Sequence, residues 1–575
     1  MNLFKKYLEE IKKKVSKHKE LSAFISERNL GNIIIEKPPE NFDFDLSSNI
    51  ALVIGKTNKT NPLQIAERIK DILSNEIDDF SSVEIAGPGF LNIKLSKQAW
   101  VKNINDIFKN KKKFGSNKKK EKYNIEFVSA NPTGPLHVGH CRGAVFGDVI
   151  SNLLIFNGNK VTKEFYVNDY GNQINIFSES VFYRLREIKF NENFSNNKKS
   201  LYPGFYIIDI AKKILKNNPK IKLDNFEKIN KKLAKDSINH SMNLIKSDLK
   251  RLGIKHDKFF YESEIVKKNL VKKSLEKLKK DKLVIEGFLQ PPKGEDNLNW
   301  KKTKKLIFKS TLFGDDSDRS LQKDDGSWTY FANDLAYHSN KVSRNYDCLI
   351  NILGADHTGY IKRITAAVKA TSKNKTKLLC KVCQLVKLFK NGQPFKMSKR
   401  LGDFISVNDL LNEVNRDSIR FMMLNRGNDV ELDFDFNKVL EKNKDNPVFY
   451  VQYCYARINS LFRSLKINLN KEIKLDTNKF EPNIFEYKLL RKIIEWPKIV
   501  EVASNKLEPH RVTFYLYDLV TIFHSYWSEG NKKDEFKFIL NGKINKTISF
   551  KIFQLISIIL ENGMKILGVS LPRKM

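Results

Sequence analysis

The stretch NIEFVSANPTGPLHVGH, residues 124–140, carries the most structural information in the chain. Its first five residues, NIEFV, read as a strand, polar and apolar side chains alternating from Asn124 to Phe127 with the two-residue period. The segment SANPTGP then breaks the strand, and the apolar run AVFGDVISNLLIF, residues 144–156, reads as a helix. Strand, Gly/Pro turn and helix in that order open a nucleotide-binding α/β unit. His137 and His140 stand at the step from loop to helix, three residues apart and so on one helix face. A helix N-terminus offers partial positive charge and unbonded N–H groups, which favour phosphate. Gly139, between the histidines, lets a nucleotide approach the backbone closely. A zinc pair of the HExxH kind is absent, and no third ligand stands in the stretch. The phosphate loops GxxxxGK[ST] and GxGxxG are absent too.

Working downstream, residues 178–304 are Lys-rich and helical in pattern, with Met242, Ile245, Leu249 and Leu252 marking one face. Residues 347–353 read as a second strand, followed by Gly354-Ala-Asp-His357 and a helix over 360–369. This order predicts a Rossmann-like parallel sheet split by a helical insertion. The Asn391-Gly392 turn precedes Lys396-Met-Ser-Lys399-Arg400, 256 residues beyond His140. Three cations in five residues can embrace a polyphosphate and steady its charge as it leaves. From residue 439 strand signals are scarce, and Tyr450, Tyr453, Arg457 and Leu461 fall on a helical stripe. Upstream, Phe4, Leu8, Ile11 and Val15 mark an amphipathic helix, and VEIAGPGFLNIKL, residues 83–95, reads as two strands about a turn. The expected plan is an α+β domain over 1–108, a basic linker over 109–122, an α/β domain over 123–438 and an all-α domain over 439–575.

At 575 residues the chain is too long for one core. Its formal charge of +37 invites a polyanion, but 85 of the 103 cations are Lys and 18 are Arg, the bias an A+T-rich genome imposes everywhere. No run approaches the ~20 apolar residues of a membrane span; the stretch 550–560 is interrupted by Lys551, Gln554 and Ser557. The start lacks the apolar core of a secretory signal. Five cysteines, at 141, 348, 380, 383 and 454, fit a reducing compartment. Cys380 and Cys383 lie in an alternating stretch, where positions i and i+3 face opposite ways, so they make a poor metal pair.

With both signatures in this order, the chain resembles the class I aminoacyl-tRNA synthetases. Residues 124–140, YVNDYGNQ (166–173), GDDSDR (314–319), DGSWTYFANDLAYHSNK (325–341), GADHTGY (354–360) and the closing LGVSLPRKM narrow the resemblance to arginyl-tRNA synthetases of bacterial type. The resemblance implies a Rossmann-like catalytic domain, an N-terminal domain that meets the tRNA elbow and a helical anticodon-binding domain. It implies activation of L-arginine with ATP and Mg2+ to arginyl-adenylate, with tRNA present. Arginine then passes to the terminal adenosine of tRNA(Arg), in a cytoplasmic monomer that has no membrane role and no structural metal. It places ATP against Pro132, Gly134, His137, Gly139, His140, Asp356, His357, Lys396, Met397, Ser398, Lys399 and Arg400. Of these His137, His140, Lys396 and Lys399 would be catalytic. It places arginine against Glu126, Ser129, Asn131, Tyr330 and Asp334, and tRNA against Tyr450, Tyr453 and Arg457. Carboxylates suit a guanidinium, which stays protonated and presents a planar fork of donors. Three departures stand out: Val138 in HIGH, Arg400 for the last Ser of KMSKS, and Asp417-Ser-Ile-Arg420 where the family reads DALR. The rival readings are a class I synthetase of another specificity, a nucleotidyltransferase acting on a small molecule, and an inactive tRNA-binding paralogue.

Overall fold

The computed structural model describes residues 2–22, 24, 30–39, 42–194, 200–289, 303–395 and 405–575. Residues Lys122–Glu126 form the strand that the alternation predicts, and the chain turns through the Pro/Gly segment into helix Val138–Phe156. Helix and strand are in close contact at Gly147, where an added Cβ would lie 2.4 Å from Cγ of Phe127. The next strand, Lys160–Val167, pairs with the first in parallel, completing a βαβ unit. Five parallel strands make the central sheet, in the order Lys377–Cys383, Cys348–Gly354, Lys122–Glu126, Lys160–Val167, Lys258–Tyr261. Counted along the chain that is 5-4-1-2-3, so the winding reverses between Lys122–Glu126 and Cys348–Gly354. Open α/β sheets bind ligands at the carboxyl ends of the strands at such a reversal. Residues 127–137 and Ala355–Tyr360 both leave those ends.

The stretch expected as a helical insertion is mixed. Helices Asn172–Phe190, Phe205–Asn217 and Phe226–Arg251 pack on one another around Phe177, Val181, Ile207 and Ile210, a core of their own. The chain then returns strand Lys258–Tyr261 to the central sheet and adds Val284–Gly287 to a three-stranded antiparallel sheet with Lys305–Phe308 and Arg319–Ser320. These strands are four residues or fewer, without a run long enough to separate strand from helix by period. Helix Tyr330–Val342 packs Phe331, Leu335 and Ala336 into the adjoining core.

Lys118–Glu441 forms one compact unit; Met1–Asn117 and Lys442–Met575 together form the other. In the latter, a four-stranded antiparallel sheet (Ile35–Glu36, Leu46–Ser48, Phe90–Leu95, Phe80–Ala86) carries helices Leu3–Lys17, Ile50–Asn58, Pro62–Glu76 and Lys97–Lys109. Its other part is helices Pro447–Ser464, Ile484–Lys506, His510–Lys532 and Thr547–Leu567. That part is not purely helical, because Ile539–Leu540 and Lys543–Ile544 pair across Asn541-Gly542, both at positive φ. Asn-Gly is a strong hairpin signal, and it stood in the sequence.

Asp45 joins the two parts of this unit. Its carboxylate accepts from the Leu95 N–H at 2.8 Å, the Trp100 indole at 3.2 Å and Nε of Arg491 at 2.8 Å. The stretch 109–122, expected as a solvated linker, is pinned at Phe114, which is buried and whose carbonyl accepts from the Trp496 indole at 2.8 Å. The apolar stretch 550–560 lies in the C-terminal core helix, with Lys551 buried and paired to Glu472 at 3.1 Å. Among the described residues no helix is long and apolar enough to cross a membrane.

Candidate active site

His137 is the N-cap of helix Val138–Phe156. Its Nδ1 accepts from the Gly139 N–H at 3.1 Å, while Nδ1 of His140 accepts from the His137 N–H at 3.4 Å. The two rings are 3.8 Å apart, centroid to centroid. Burial holds His137 below the ordinary imidazole range, and burial with the His137 neighbour holds His140 down to about 3. Both are therefore neutral at pH 7. Because each Nδ1 is an acceptor, each proton sits on Nε2. The pair presents two neutral donors at a helix N-terminus, which is suited to phosphate oxygens.

The preceding loop is held from beneath. Asp248, a buried carboxyl pushed up to about 6 by burial, accepts from the Leu136 N–H at 3.2 Å. Pro132 is buried. At Gly134 a Cβ would stand 3.0 Å from the Tyr206 hydroxyl, which donates to the Thr133 carbonyl at 2.8 Å. A short antiparallel bridge joins His137 to Ser406, with Val138 N–H on the Ile405 carbonyl at 2.9 Å and Val407 N–H on the Leu136 carbonyl at 2.8 Å. The chain just beyond the second signature is thus bonded to the first. Lys396, Met397, Ser398, Lys399 and Arg400 themselves lie outside the described residues. Asp356 and His357 are exposed on the turn Ala355–Tyr360, their side chains 3.4 Å apart.

A second group lies beyond Glu126. Val128 and Ser129 take left-handed backbone angles (φ 71° and 43°), a strained geometry for a β-branched residue. The kink brings Oγ of Ser129 onto Oε1 of Glu126 at 3.3 Å and under the Tyr166 N–H at 3.2 Å. Oε2 of Glu126 is paired with the Lys341 ammonium. Asp334 accepts no side-chain hydrogen bond among the described residues. Burial, then the charges of Glu126 and Glu262, push its carboxyl up to about 7. Glu262, itself raised by burial, accepts from the Asn333 amide at 3.2 Å. Glu126, Glu262 and Asp334 thus gather three acids in one place, with Lys341 paired to Glu126 and the charge of Arg363 acting on Asp334.

Sequence reasoning missed Glu262, Asn333 and Lys341, because a Glu or Lys in a charge-rich chain carries no local signature. Asn131 is exposed and donates to Gln173 at 2.9 Å. Tyr330 begins its helix and is 75% exposed, with the Lys323 ammonium 5.7 Å from its ring centroid. In this structure neither is enclosed with the three carboxylates.

Tyr450, Tyr453 and Arg457 are half-buried on helix Pro447–Ser464 in the other unit. Tyr450 stacks on His524 at 4.3 Å, and Arg457 donates to the Tyr453 hydroxyl at 2.7 Å. The Arg457 guanidinium lies over the Tyr453 ring at 4.5 Å and the Trp527 ring at 5.0 Å. This is a partly exposed aromatic and cationic surface, a form that stacks on unpaired bases. Arg420, which ends Asp417-Ser-Ile-Arg420, is fully buried in the unit Lys118–Glu441 and pairs with Asp148 at 2.5 Å.

Three family descriptions match consecutive parts of the chain. Residues 5–95 match "Arginyl tRNA synthetase N terminal domain", residues 103–461 match "tRNA synthetases class I (R), catalytic domain", and residues 451–575 match "DALR anticodon binding domain". The chain is 52% identical over 577 residues to an arginine–tRNA ligase of Pelagibacter ubique, covering all of both chains. It is 41% identical to one of Wolbachia pipientis, covering 99% of each. The arginyl-tRNA synthetase structure from Thermus thermophilus superposes with a TM-score of 0.73 over all of both chains at 19% identity, a likeness of fold.

Proposed function

The chain belongs to the arginyl-tRNA synthetase family and is an arginine–tRNA ligase of class I, and on that premise we propose how its residues divide the work. ATP, arginine and tRNA are the substrates. In the first step a carboxylate oxygen of arginine attacks the α-phosphorus, the bond to the β-phosphate breaks, and pyrophosphate leaves. The nucleophile belongs to the substrate, so the protein needs no Ser or Cys at the centre. Its tasks are alignment and stabilisation of charge.

His137 and His140 donate through Nε2 to the ATP phosphates, with the Gly139 region of the helix N-terminus behind them. Lys396, Lys399 and Arg400 take the pyrophosphate side, and Asp356 and His357 border the nucleotide. ATP comes as its Mg2+ complex; among the described residues no group of three or more His, Cys, Asp or Glu is placed to hold an ion. The guanidinium enters the carboxylate cluster, with Asp334 its principal partner and Glu126 and Glu262 beside it. Ser129 and Asn131 serve the α-amino and carboxylate groups, and Tyr330 covers the pocket mouth. A pocket that leaves buried carboxylates unpaired with citrulline or ornithine can discriminate strongly without editing. In the second step a hydroxyl of the terminal adenosine attacks the activated carbonyl and AMP leaves. Tyr450, Tyr453 and Arg457 hold unpaired anticodon bases, and the N-terminal domain meets the tRNA elbow. The working unit is a cytoplasmic monomer.

The observation that carries the pocket assignment is Asp334, a half-buried carboxylate that accepts no side-chain hydrogen bond among the described residues and feels the charges of two further acids. ATP–pyrophosphate exchange with each amino acid, with and without tRNA, tests the whole reading. Exchange with arginine, strengthened by tRNA, is expected. Exchange with cysteine or glutamine in its place overturns the specificity.

A further inference from the structure

Lys341 stands seven residues beyond Asp334, two helical turns along the same helix, with its side chain entirely enclosed. Burying an ammonium costs several kcal/mol unless a good partner compensates it, and buried pairs add little net stability. Here the partner is a residue of the pocket: Nζ of Lys341 pairs with Oε2 of Glu126 and lies 4.6 Å above the Tyr337 ring. Nζ also donates to Oδ1 of Asn351 at 3.1 Å, and Nδ2 of Asn351 meets Nε2 of His338 at 2.9 Å. Nδ1 of His338 donates to the main-chain carbonyl of Asp334 at 2.8 Å. Burial keeps His338 neutral, down to about 4. With one proton, on Nδ1, its Nε2 must accept from Asn351, and the Asn351 oxygen is left for Lys341. The donors therefore run one way, from a charged Lys341 to the backbone of Asp334.

We infer that Lys341 is a positioning residue of the arginine pocket, holding Glu126 in place through its ammonium and Asp334 through the Asn351–His338 chain. The inference rests on the pocket reading above and deepens it. Lys341 on Oε2 and Ser129 on Oε1 fix both Glu126 oxygens, so Glu126 faces the substrate as a charge-balanced acceptor. Asp334 and Glu262 are then left to answer the guanidinium. The charged or titratable groups around Asp334 are Glu126, Glu262, Tyr166, Arg363, His338 and Lys341. Without Lys341 Glu126 loses its paired cation, Arg363 is left to act on Asp334, and the empty pocket takes up a proton that arginine must displace.

The test is arginine-dependent ATP–pyrophosphate exchange with tRNA(Arg) present, for Lys341→Met and Lys341→Arg, over pH 6–9. Losing a buried charge partner predicts a rise of about tenfold or more in the arginine KM of Lys341→Met, with the ATP KM within about twofold. The pH midpoint of the arginine KM moves upward. Lys341→Arg returns the arginine KM to within about threefold of the parent, because the cation is kept. An unchanged arginine KM and midpoint, with only kcat or Tm lowered, overturns the inference. Should Lys341→Met not fold, Asn351→Ser keeps the charge and breaks the chain, and its arginine KM must also rise. Asp334→Asn is the control for the pocket: a parental arginine KM there overturns the pocket and this inference with it, whereas a lost arginine response beside a parental KM in Lys341→Met overturns this inference alone.

Discussion

At the scale of single residues the protonation of Asp334 is the most consequential detail. Burial, Glu126 and Glu262 raise its carboxyl from the ordinary carboxylate range to about 7. Its ionised form alone pairs with a guanidinium, so arginine affinity grows as pH rises through 7. One group titrating near 7 predicts arginine binding about tenfold weaker at pH 6 than at pH 8, and this dependence is lost in Asp334→Asn. Calorimetric titration at the two pH values, with arginine alone and with arginine plus tRNA, measures it. The linkage runs the other way for the empty protein. A folded pKa above the unfolded value stabilises at low pH, and that stability is lost as pH rises toward 7. Saturating arginine is therefore expected to raise Tm more at pH 8 than at pH 6. None of this could be read from residues 325–341 alone. Asp334 is one acid among 66 Asp and Glu, and what singles it out is the nearness of Glu126 and Glu262, two acids distant in sequence.

At the scale of elements, Gly147 sets how closely the signature helix lies on its strand. A methyl there would stand 2.4 Å from Cγ of Phe127, the neighbour of Glu126. Gly147→Ala gains helix propensity of about 1 kcal/mol, but overpacking of this kind costs about 1–3 kcal/mol. The net expectation is a lower Tm, together with a raised arginine KM because Phe127 carries Glu126 with it. A Tm equal to the parent's with unchanged arginine KM would show that helix and strand can part without consequence. A second tie at this scale joins helix Arg416–Met422 to the signature helix through Asp148, whose carboxylate takes Arg420 at 2.5 Å and Lys163 at 2.6 Å. The resemblance to DALR drew attention to Asp417-Ser-Ile-Arg420, and the structure makes its arginine an internal brace. The strands Lys122–Glu126 and Cys348–Gly354 were legible because alternation and turn chemistry are local. Lys258–Tyr261 was not, since the four residues KFFY are too few to show a period, and only pairing with Lys160–Val167 makes them a strand.

At the scale of the whole molecule, the charge of +37 is an excess of cations that a polyanionic tRNA substrate can engage. Counterion release predicts that aminoacylation at limiting tRNA falls linearly with salt on logarithmic axes, while the arginine KM at saturating tRNA moves little. Arg457→Ala removes a cation stacked on Tyr453 and Trp527. A loss of about 1–3 kcal/mol is expected, seen as a tRNA KM raised about tenfold or more with the ATP KM unchanged. A parental tRNA KM would reduce this cluster to core packing.

The α/β class, the order of the two signatures and the helical C-terminal region were all legible before any fold was known. Each of these follows from local periodicity or from residue types at short spacing. Tertiary packing was needed to show that burial holds both histidines below the ordinary imidazole range, that Glu126 is paired to Lys341, and that residues 109–122 are anchored at Phe114. It also decided that the first and last parts of the chain form one unit. Those outcomes depend on burial and on partners tens to hundreds of residues away. Desolvation and pairing are properties of an assembled interior, and no window of sequence contains them.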